Sequence, residues 1–177
     1  QVKTINDFDE SVSLYDFYVA PELTAINSNN KNFVVKSLED FSCSKKILIS
    51  GIVGQGKSIL MKHLAIVESY KGEKFPVFTE LRELEDNESL ESFMRRSIKK
   101  WLNIENDKVV AHLIKEGKVI FFFDGFDEVK INQMAKIVKD FEKISSKFPG
   151  LDFIVSSRPE ETIDKSIIFN KFLINKL

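Results

Sequence analysis

Residues 51–58 read GIVGQGKS, a stretch in which three glycines precede a lysine and a serine. Clustered glycines mark main chain that turns sharply or approaches a ligand closely, because glycine lacks a Cβ. The spacing, with Gly56, Lys57 and Ser58 after an earlier glycine and four residues, fits a loop whose N–H groups surround a di- or triphosphate. Lys57 would reach the β- and γ-phosphates, and the Ser58 hydroxyl would ligate Mg²⁺. The alternative is an ordinary glycine-rich turn that Ser58 caps.

Asp124 directly follows a second apolar stretch, VIFFF, and Asp127 and Glu128 come after a short turn. A carboxylate at the C-terminal end of a central strand lies where open α/β sheets bind ligands. Asp124 can therefore hold Mg²⁺ opposite Ser58. Asp127 or Glu128 is then close enough to orient or deprotonate an attacking water. The alternative is that these acids are solvated turn residues that cap the next helix.

Arg158 follows a third apolar stretch in FIVSSRPE, and Pro159 disfavours an immediate helix. Arginine is scarce in this chain, where lysine is the usual cation. An arginine at a strand end therefore indicates a need for the planar, forked donation that a γ-phosphate accepts. The alternative is a surface ion pair with Glu160 or Glu161.

The elements that must position these residues alternate along the chain from about residue 45 onward. Four apolar runs are typical of strands, KILIS, FPVFTEL, KVIFFFD and LDFIVSS, and IIFNKFLI near the C-terminus would add a fifth. Helical spacing is found in residues 57–70, 88–101, 106–115 and 131–147. Such alternation predicts a parallel sheet with helices on both faces. VIFFF shows no polar alternation, as expected of a central strand that is covered on both sides.

The first 44 residues are acidic and irregular in pattern. LYDFYVAPEL, at 14–23, indicates extended chain, and NSNNKN, at 27–32, indicates a polar loop. FVVKSLEDF, at 33–41, has the spacing of a helix in its apolar residues. We therefore expect a segment at 1–44 that leads into the site and a core at 45–177.

Composition narrows the class of protein. The 177 residues, 43% of them hydrophobic with a net charge of −1, suit one globular domain. No apolar run approaches the ~20 residues that span a bilayer, and no charged-then-apolar leader opens the sequence. The single cysteine, Cys43, is expected to be an inert small residue in a reducing compartment. The near-zero net charge does not indicate nucleic-acid binding, so a nucleic-acid partner is not expected, although a local basic face is compatible with this charge. By default we expect a cytoplasmic protein without a membrane partner.

One helical segment, residues 91–101, is basic on one side and apolar on the other. It is expected to be a solvated helix that packs through its apolar residues, Phe93, Met94, Ile98 and Trp101. Docking between protomers and contact with a membrane or nucleic acid are the other interpretations. His63 and His112 lie inside helical patterns and are expected to be packing or surface residues.

Four stretches, in this order, resemble the NACHT domain of the signal-transducing (STAND) ATPases: GIVGQGKS, FPVFTELREL, EGKVIFFFDGFDEV and FIVSSRP. The acidic pattern DGFDE at 124–128 is the most specific match, followed by residues 76–84. The resemblance covers roughly residues 45–159, with a weaker match in FYVAPEL. It implies a three-layer α/β P-loop NTPase fold of the ASCE type. Its parallel sheet would have about five strands in the order 5-1-4-3-2, with an N-terminal extension.

The resemblance also implies a role for each site residue. The implied catalytic residues are Glu128, Asp127 and Arg158, and the implied Mg²⁺ ligands are Ser58 and Asp124. The implied nucleotide-binding residues are Gly51, Gly54, Gln55, Gly56, Lys57, Ser58, Ile59 and Val19. LDFIVSS would lie between the loop strand and VIFFFD, which places Arg158 beside the γ-phosphate. The base would rest near Tyr18, Val19 and Pro21.

Two features depart from the family pattern. Ile52 and Val53 stand where an acidic residue and a proline are common, and Gln55 stands where a small residue is common. Neither position supplies an obligatory side chain, so nucleotide binding is expected to survive while turnover is altered. The winged-helix and sensor regions that normally follow are missing from residues 45–177, together with the histidine that reads the ADP β-phosphate.

NACHT proteins use the nucleotide as a conformational latch in innate immunity or antiviral defence, with ADP in the closed form and ATP in ring- or wheel-like assemblies. The leading hypothesis is a slowly hydrolysing ATP/ADP and Mg²⁺ switch module of a larger protein, able to form homo-oligomers. The alternatives are an ADP-bound platform without hydrolysis and another P-loop ATPase of AAA+-like type. A GTPase is disfavoured because Asn170 and Lys171 lack the aspartate that reads guanine. A small-molecule kinase would need more arginines.

Overall fold

The computed structural model of this chain describes residues 18–26, 31–41 and 45–175. These residues form an α/β fold around a seven-stranded, mostly parallel sheet in the order β2-β1-β7-β3-β6-β5-β4. The strands are β1 (Glu22–Ala25), β2 (Asn32–Val34), β3 (Lys46–Ser50), β4 (Phe75–Glu80), β5 (Val119–Asp124), β6 (Asp152–Ser157) and β7 (Asn170–Ile174).

Five strands, β7, β3, β6, β5 and β4, form the parallel part of the sheet. Counted along the chain from β3, their order is the predicted 5-1-4-3-2, and β6 lies between β3 and β5 as expected. Residues 119–123 of β5 are each no more than 1% exposed. Because successive side chains point to opposite faces, this strand contributes to the core on both sides of the sheet.

The helices are α1 (Lys57–Lys71), α2 (Leu90–Leu102), α3 (Asp107–Lys115), α4 (Ile131–Lys147) and α5 (Glu161–Asp164). The four predicted helical segments after residue 45 agree with α1 to α4 within two residues at each end. Helix α1 covers one face of the sheet, where Ile49 and Phe122 are buried. The other helices cover the opposite face, where Leu48, Phe121 and Phe123 are buried. The described residues therefore form the three-layer arrangement that the alternating pattern predicts.

Two antiparallel strands extend the sheet beyond the five that were predicted. β1 pairs with β7, and β2 pairs with β1. The helix expected at 33–41 is wrong, because these residues complete β2 and then form a 3₁₀ turn, Leu38–Phe41. Strand pairing brings Phe33 and Phe41 against Phe172 of β7, with ring centroids 5.7 and 4.8 Å away. This aromatic packing outweighs the helical spacing of a short segment.

Helix α2 packs largely as its pattern predicts. Phe93, Met94 and Ile98 are buried, whereas Trp101 is 55% exposed and does not pack in the core as expected. Its indole Nε1 donates to the Phe78 carbonyl at 2.6 Å. Since β4 is an edge strand, Trp101 caps a carbonyl that would otherwise be open to pairing with another chain.

The remaining expectations are met in part or lie outside the described residues. His63 is buried on α1 and stacks on Tyr18, and His112 is exposed on α3. Cys43 and residues 1–17 lie outside the described part of the chain. Within that part, none of the helices has both the length and the apolar character that a membrane span requires.

Candidate functional site

Three neighbouring strands end at one edge of the sheet, and the predicted site residues follow them. β3 leads into residues 51–58, which we call the phosphate loop. β5 ends with Asp124, and β6 is followed by Arg158. Because these strands are parallel, their carboxyl ends meet at the edge where α/β sheets bind ligands. The fold therefore brings the three motifs to the same region.

The phosphate loop leaves the start of α1 open to a ligand. Gly54 and Gly56 have φ values of 82° and 79°, in the left-handed region that favours glycine. Gly56 is the N-cap of α1, and no side chain accepts a hydrogen bond from the first turn. Ser58 therefore does not cap the helix, contrary to the alternative interpretation. The first N–H groups of α1 are directed as in an anion site.

The Lys57 ammonium is held inside the curve of the loop. Its Nζ donates to the carbonyl oxygens of Gly51 at 2.6 Å and Ile52 at 3.0 Å. Burial lowers the pKa of Lys57 below its ordinary value, and the Asp127 carboxylate opposes that shift. The ammonium is thus desolvated by the loop and interacts electrostatically with the acids at the end of β5 and in the turn that follows it.

Gln55 turns its side chain back onto the loop. Its Oε1 accepts a hydrogen bond from the Ile52 N–H at 2.6 Å. The adjacent Gly51 lies against β7, since a Cβ built on it would be 3.4 Å from the Cβ of Ile174. The Gln55 side chain therefore supports the loop from within. Neither Gln55 nor Gly51 is among the residues that line the cavity described below, so contact of these two residues with a nucleotide stays a prediction.

Asp124 is oriented by a buried serine on the neighbouring strand. The Ser156 hydroxyl donates to Asp124 Oδ1 and accepts from the Gly125 N–H at 2.9 Å. Ser156 is fully buried, whereas Asp124 is half-buried at the rim of the cavity. The hydroxyl engages Oδ1, so the carboxylate is fixed with its other oxygen outside this hydrogen bond.

Asp127 and Arg158 form an ion pair that connects the turn after β5 to the chain that follows β6. Arg158 Nε lies 2.9 Å from Asp127 Oδ2, and the Arg158 main-chain N–H donates to Asp127 Oδ1 at 2.9 Å. Surface pairing of Arg158 with Glu160 or Glu161 is not observed. Glu160 instead caps α5, and Glu161 pairs with Lys165. The predicted phosphate sensor is thus held by one of the predicted catalytic acids.

Glu128 ends the 3₁₀ turn Phe126–Glu128 and has a different partner. Its Oε2 lies 3.5 Å from Arg82 Nη1, and Arg82 also pairs with Glu80. Helix α4 has Lys130 at its N-cap and no side-chain cap. The acids after β5 therefore do not cap the next helix, contrary to the alternative interpretation.

One cavity of about 330 Å³ contains residues of all three motifs. It is lined by Val53, Gly54, Gly56, Lys57, Ser58, Ile59, Asp124, Gly125, Asp127, Glu128, Ser156 and Arg158. Two larger depressions, of about 620 and 580 Å³, lie on the outer surfaces of α4 and of α2 with α3. Both are lined mainly by charged side chains of helices and contain no residue of the three motifs, whereas the smaller cavity combines the phosphate loop and the start of α1 with the acids and Arg158.

The oxygen donors in the cavity fit Mg²⁺. The Ser58 hydroxyl and the Asp124 carboxylate both line it, and hard oxygen ligands are those that Mg²⁺ prefers. Among the described residues there is no cluster of three or more His, Cys, Asp or Glu that could hold a metal by itself. Mg²⁺ commonly binds through one or two protein oxygens and completes its shell with phosphates and water. The donor set matches that mode of binding.

The residues expected near the base are engaged differently. Tyr18 stacks on His63 of α1, with ring centroids 3.8 Å apart and planes 12° apart. Burial raises the pKa of Tyr18 to about 12. Val19 is 68% exposed and is not among the residues that line the cavity. Pro21 accepts the Val35 N–H through its carbonyl. Contact of these residues with a base stays a prediction.

Two residues that sequence reasoning did not assign take part in the site. Ser156 orients Asp124, and Arg82 contacts Glu128. The signals were a pair of serines at the end of a buried strand and a scarce arginine within residues 76–84, the second most specific family stretch. Neither signal identifies the contact partner, because each contact joins residues that are far apart in sequence, Ser156 with Asp124 on neighbouring strands and Arg82 with Glu128 in the turns after β4 and β5.

The family profile of the NACHT domain matches residues 45–172 of the chain. This range contains the phosphate loop, the acids Asp124, Asp127 and Glu128, and Arg158, but it excludes β1 and β2. No curated protein sequence matches the chain.

Several solved structures resemble the chain at low sequence identity. They include Cdc6p from Pyrobaculum aerophilum, with 12% identity, a TM-score of 0.49 and coverage of 72% of this chain and 38% of that one. AMPPCP-bound DnaA from Aquifex aeolicus has 15% identity, a TM-score of 0.44 and coverage of 73% and 36%. PCH-2 from C. elegans has 17% identity, a TM-score of 0.43 and coverage of 78% and 37%. The chain spans little more than a third of the length of each of these proteins.

Proposed function

This chain belongs to the NACHT domain family, and we propose that it binds ATP and ADP with Mg²⁺ and hydrolyses ATP slowly. In this proposal the bound nucleotide switches the conformation and oligomeric state of a longer signalling or defence protein. Residues 45–177 form the nucleotide-binding core, and residues 1–44 lead into the site.

The observation that carries the proposal is the shared cavity. Lys57 and Ser58 of the phosphate loop line the same space as Asp124 at the end of β5. A polyanion and its divalent counter-ion need both groups within reach of one ligand. Had the loop and the acids faced separate cavities, no single nucleotide could use them together.

Charge in the cavity supports a requirement for Mg²⁺. Asp127 and Arg158 neutralise one another through their ion pair. The remaining ionisable groups that line the cavity are the Lys57 ammonium and the carboxylates of Asp124 and Glu128. Glu128 is only partly offset by Arg82, which is 3.5 Å away and does not line the cavity, so the carboxylates that face a polyphosphate outweigh the Lys57 ammonium and a divalent cation would offset the repulsion.

Each group of site residues has its own proposed role in nucleotide binding. N–H groups of the phosphate loop and of the first turn of α1 donate to phosphate oxygens. Lys57, which donates to the carbonyls of Gly51 and Ile52, would donate to phosphate oxygens instead, and Ser58 and Asp124 would hold the cation. Bound Mg²⁺ supplies charge neutralisation on the transferred phosphoryl group. Val19, with its neighbours Tyr18 and Pro21, is proposed to contact the base.

Glu128 is the better candidate of the two acids for activating water. Both Asp127 oxygens are occupied by Arg158, one by Nε and one by the main-chain N–H. The Glu128 side chain is 47% exposed and its nearest cation, Arg82, is 3.5 Å away. Glu128 therefore retains a carboxylate oxygen that can accept a proton from water.

A change of partner by Arg158, from Asp127 to a γ-phosphate, provides a basis for the conformational switch. A γ-phosphate competes with Asp127 for the Arg158 guanidinium, whereas ADP lacks that group. Since Asp127 follows β5 and Arg158 follows β6, a change of partner alters the connection between two strand ends. In this proposal the change of partner transmits the presence or absence of a γ-phosphate to the conformation and assembly of the longer protein.

The second candidate function is a platform that keeps ADP without hydrolysing it. It is favoured by the pairing of the catalytic candidates with protein groups, Arg158 with Asp127 and Glu128 with Arg82. These pairs would hold the hydrolytic groups away from a nucleotide. The two functions share the phosphate loop and differ only in turnover.

Nucleotide binding is tested with the 177-residue chain, Mg²⁺ and a fluorescent ATP analogue. Lys57→Ala is expected to weaken binding about 100-fold, because it removes the only ammonium that lines the cavity in the described part of the chain. Lys62→Ala is the matched control, because it also removes an ammonium from α1 but one that does not line the cavity. The Lys62 Nζ lies over the Phe78 ring instead, 5.7 Å from the centroid. Equal binding by Lys57→Ala and the unmodified chain would falsify the proposed site.

Phosphate release over hours separates the switch from the platform. We expect slow release that Glu128→Gln abolishes while nucleotide binding persists. Glu116→Gln, at an exposed position after α3, is the control and is expected to leave the rate unchanged. No release by the unmodified chain supports the platform, and unchanged release by Glu128→Gln rules out Glu128 as the activating acid.

A further inference from the structure

Gly51 is a glycine whose backbone does not require one. Gly54 and Gly56 have positive φ values, but Gly51 does not, so an L-residue could adopt its main-chain conformation. The reason for glycine at position 51 must therefore lie in the space that a side chain would occupy.

That space is filled by the side chain of Gln55. A Cβ on Gly51 would lie 2.7 Å from Gln55 Oε1 and 3.7 Å from Gln55 Cδ. The next neighbour, the Cβ of Ile174, is at an ordinary contact distance of 3.4 Å. Since the carboxamide is the mobile end of a flexible side chain, an alanine at 51 would displace Gln55 and leave the main chain in place.

Displacement of Gln55 removes a hydrogen bond inside the loop. Gln55 Oε1 accepts the Ile52 N–H at 2.6 Å, and the Gln55 N–H lies 3.5 Å from the Ile52 carbonyl. Lys57 Nζ holds that same carbonyl at 3.0 Å. Residue 52 is therefore held at its N–H by Gln55 and at its carbonyl by Lys57.

We propose that Gln55 is a positioning residue that keeps the phosphate loop in its open shape, and that Gly51 is glycine in order to admit the Gln55 carboxamide. The inference rests on the proposed function for its effect on nucleotide binding, although not for its effect on the loop. When Lys57 leaves the loop carbonyls for phosphate, the Gln55 hydrogen bond still restrains residue 52. A preformed loop loses less conformational entropy when a ligand binds.

The loop itself is examined in the ligand-free chain by amide hydrogen exchange. Gln55→Met has a similar length but no oxygen acceptor, and Gln55→Glu keeps an acceptor at the same position. We expect the Ile52 amide to exchange at least threefold faster in Gln55→Met and in Gly51→Ala, and at the original rate in Gln55→Glu. Unchanged exchange of Ile52 in Gln55→Met would overturn the inference.

The coupling of the two positions is examined by ATP-analogue binding. Loss of one hydrogen bond is expected to weaken binding about three- to tenfold in Gln55→Met and in Gly51→Ala. The double variant should bind as weakly as either single variant, because both substitutions remove the same contact. A double variant whose loss equals the product of the two single losses contradicts the inference.

The two measurements keep this inference separate from the proposed function. If the unmodified chain binds no nucleotide, the proposed function fails while the Ile52 exchange rates still decide the role of Gln55. If nucleotide binds but the Gln55→Met variant matches the unmodified chain in both measurements, only the inference fails.

Discussion

Asp127 and Arg158 are joined twice, through Nε to Oδ2 and through the Arg158 main-chain N–H to Oδ1, each at 2.9 Å. One carboxylate thereby fixes both the guanidinium and the backbone that follows β6. The Arg158 side chain is still 56% exposed, so it can exchange partners without unpacking the core. This pair is the element of the site whose bonding should differ most between ATP and ADP.

Arg158→Ala should weaken ATP binding about tenfold or more and leave ADP binding within about twofold. The physical reason is that only ATP presents a γ-phosphate to the guanidinium, and charge-assisted bonds of this kind contribute roughly 1.5–3 kcal/mol. Competition titrations with ATP and ADP measure the ratio. Arg95→Ala, which removes a guanidinium paired with Glu91 on α2, is the control.

In Arg158→Ala the Asp127 carboxylate loses its cation, and the resulting repulsion, which acts on both nucleotides, is the reason for allowing a loss of up to about twofold in ADP binding. The double variant Asp127→Ala/Arg158→Ala removes that repulsion and should still fail to distinguish ATP from ADP. An equal loss for ADP and ATP in both variants would show that Arg158 does not recognise the γ-phosphate.

Ser156→Ala should destabilise the protein by about 1–2 kcal/mol and weaken Mg²⁺-dependent nucleotide binding several-fold. The substitution removes the donor to Asp124 Oδ1 and leaves the half-buried Gly125 N–H without its acceptor. Urea unfolding and titration with the ATP analogue at varied Mg²⁺ measure the two effects.

Ser157→Ala is the matched control for Ser156→Ala. Ser157 is equally buried on the same strand, and its Oγ has no hydrogen-bond partner among the described residues. Its removal is expected to be neutral or slightly stabilising. If both variants lose nucleotide affinity equally, the orientation of Asp124 by Ser156 is not the cause.

Arg96→Ala should lower the free energy of unfolding by roughly 1 kcal/mol at pH 7, with a smaller loss in acid. Arg96 donates from Nε and Nη2 to the two Glu88 oxygens at 3.0 and 2.7 Å. The hydrogen bond from Arg96 lowers the pKa of Glu88 below its ordinary value of 4.5. A lowered carboxyl pKa stabilises the fold above about pH 4.5, and this stabilisation disappears as pH falls through the folded-state pKa.

Urea unfolding at pH 7 and near pH 3 tests this dependence. Part of the loss should persist in acid, because Arg96 also donates to the Glu83 carbonyl and packs over the Phe93 ring. Lys100→Ala, on the same helix and 70% exposed, should change stability little at either pH. A loss in Arg96→Ala that is the same at both values would mean that the Glu88 pair contributes nothing.

Gly117→Ala should destabilise the protein by about 3 kcal/mol or more. Gly117 has a φ of 60°, and a Cβ there would lie 2.5 Å from the Gly150 carbonyl oxygen, which is main chain. Gly72→Ala is the control, because its φ is 70° but nothing lies within 4 Å of the added Cβ. That variant should lose only the roughly 1–2 kcal/mol of left-handed strain. Thermal unfolding compares the two, and similar losses would exclude the Gly150 contact as a cause.

Much of the nucleotide-site architecture can be predicted from the sequence, because its signals are local. Gly56 and Lys57 lie on a short spacing between an apolar run and a helical pattern, and the structure has β3, the loop and α1 there. VIFFF has no polar alternation, and β5 is buried on both faces. Periodicity and glycine spacing are read within a few residues, so they identify the individual elements, whereas the order of the parallel strands was implied by the family resemblance.

The partners of the site residues were decided by the tertiary structure. Arg158 pairs with Asp127, 31 positions away in sequence, and not with the adjacent Glu160 or Glu161. The N-terminal segment forms β1 and β2 because β7 offers an open edge, which no local pattern at 33–41 reveals. Contacts between strands depend on which strand ends the fold brings together. Geometry and charge then determine which of the neighbouring side chains pair once the sheet has formed.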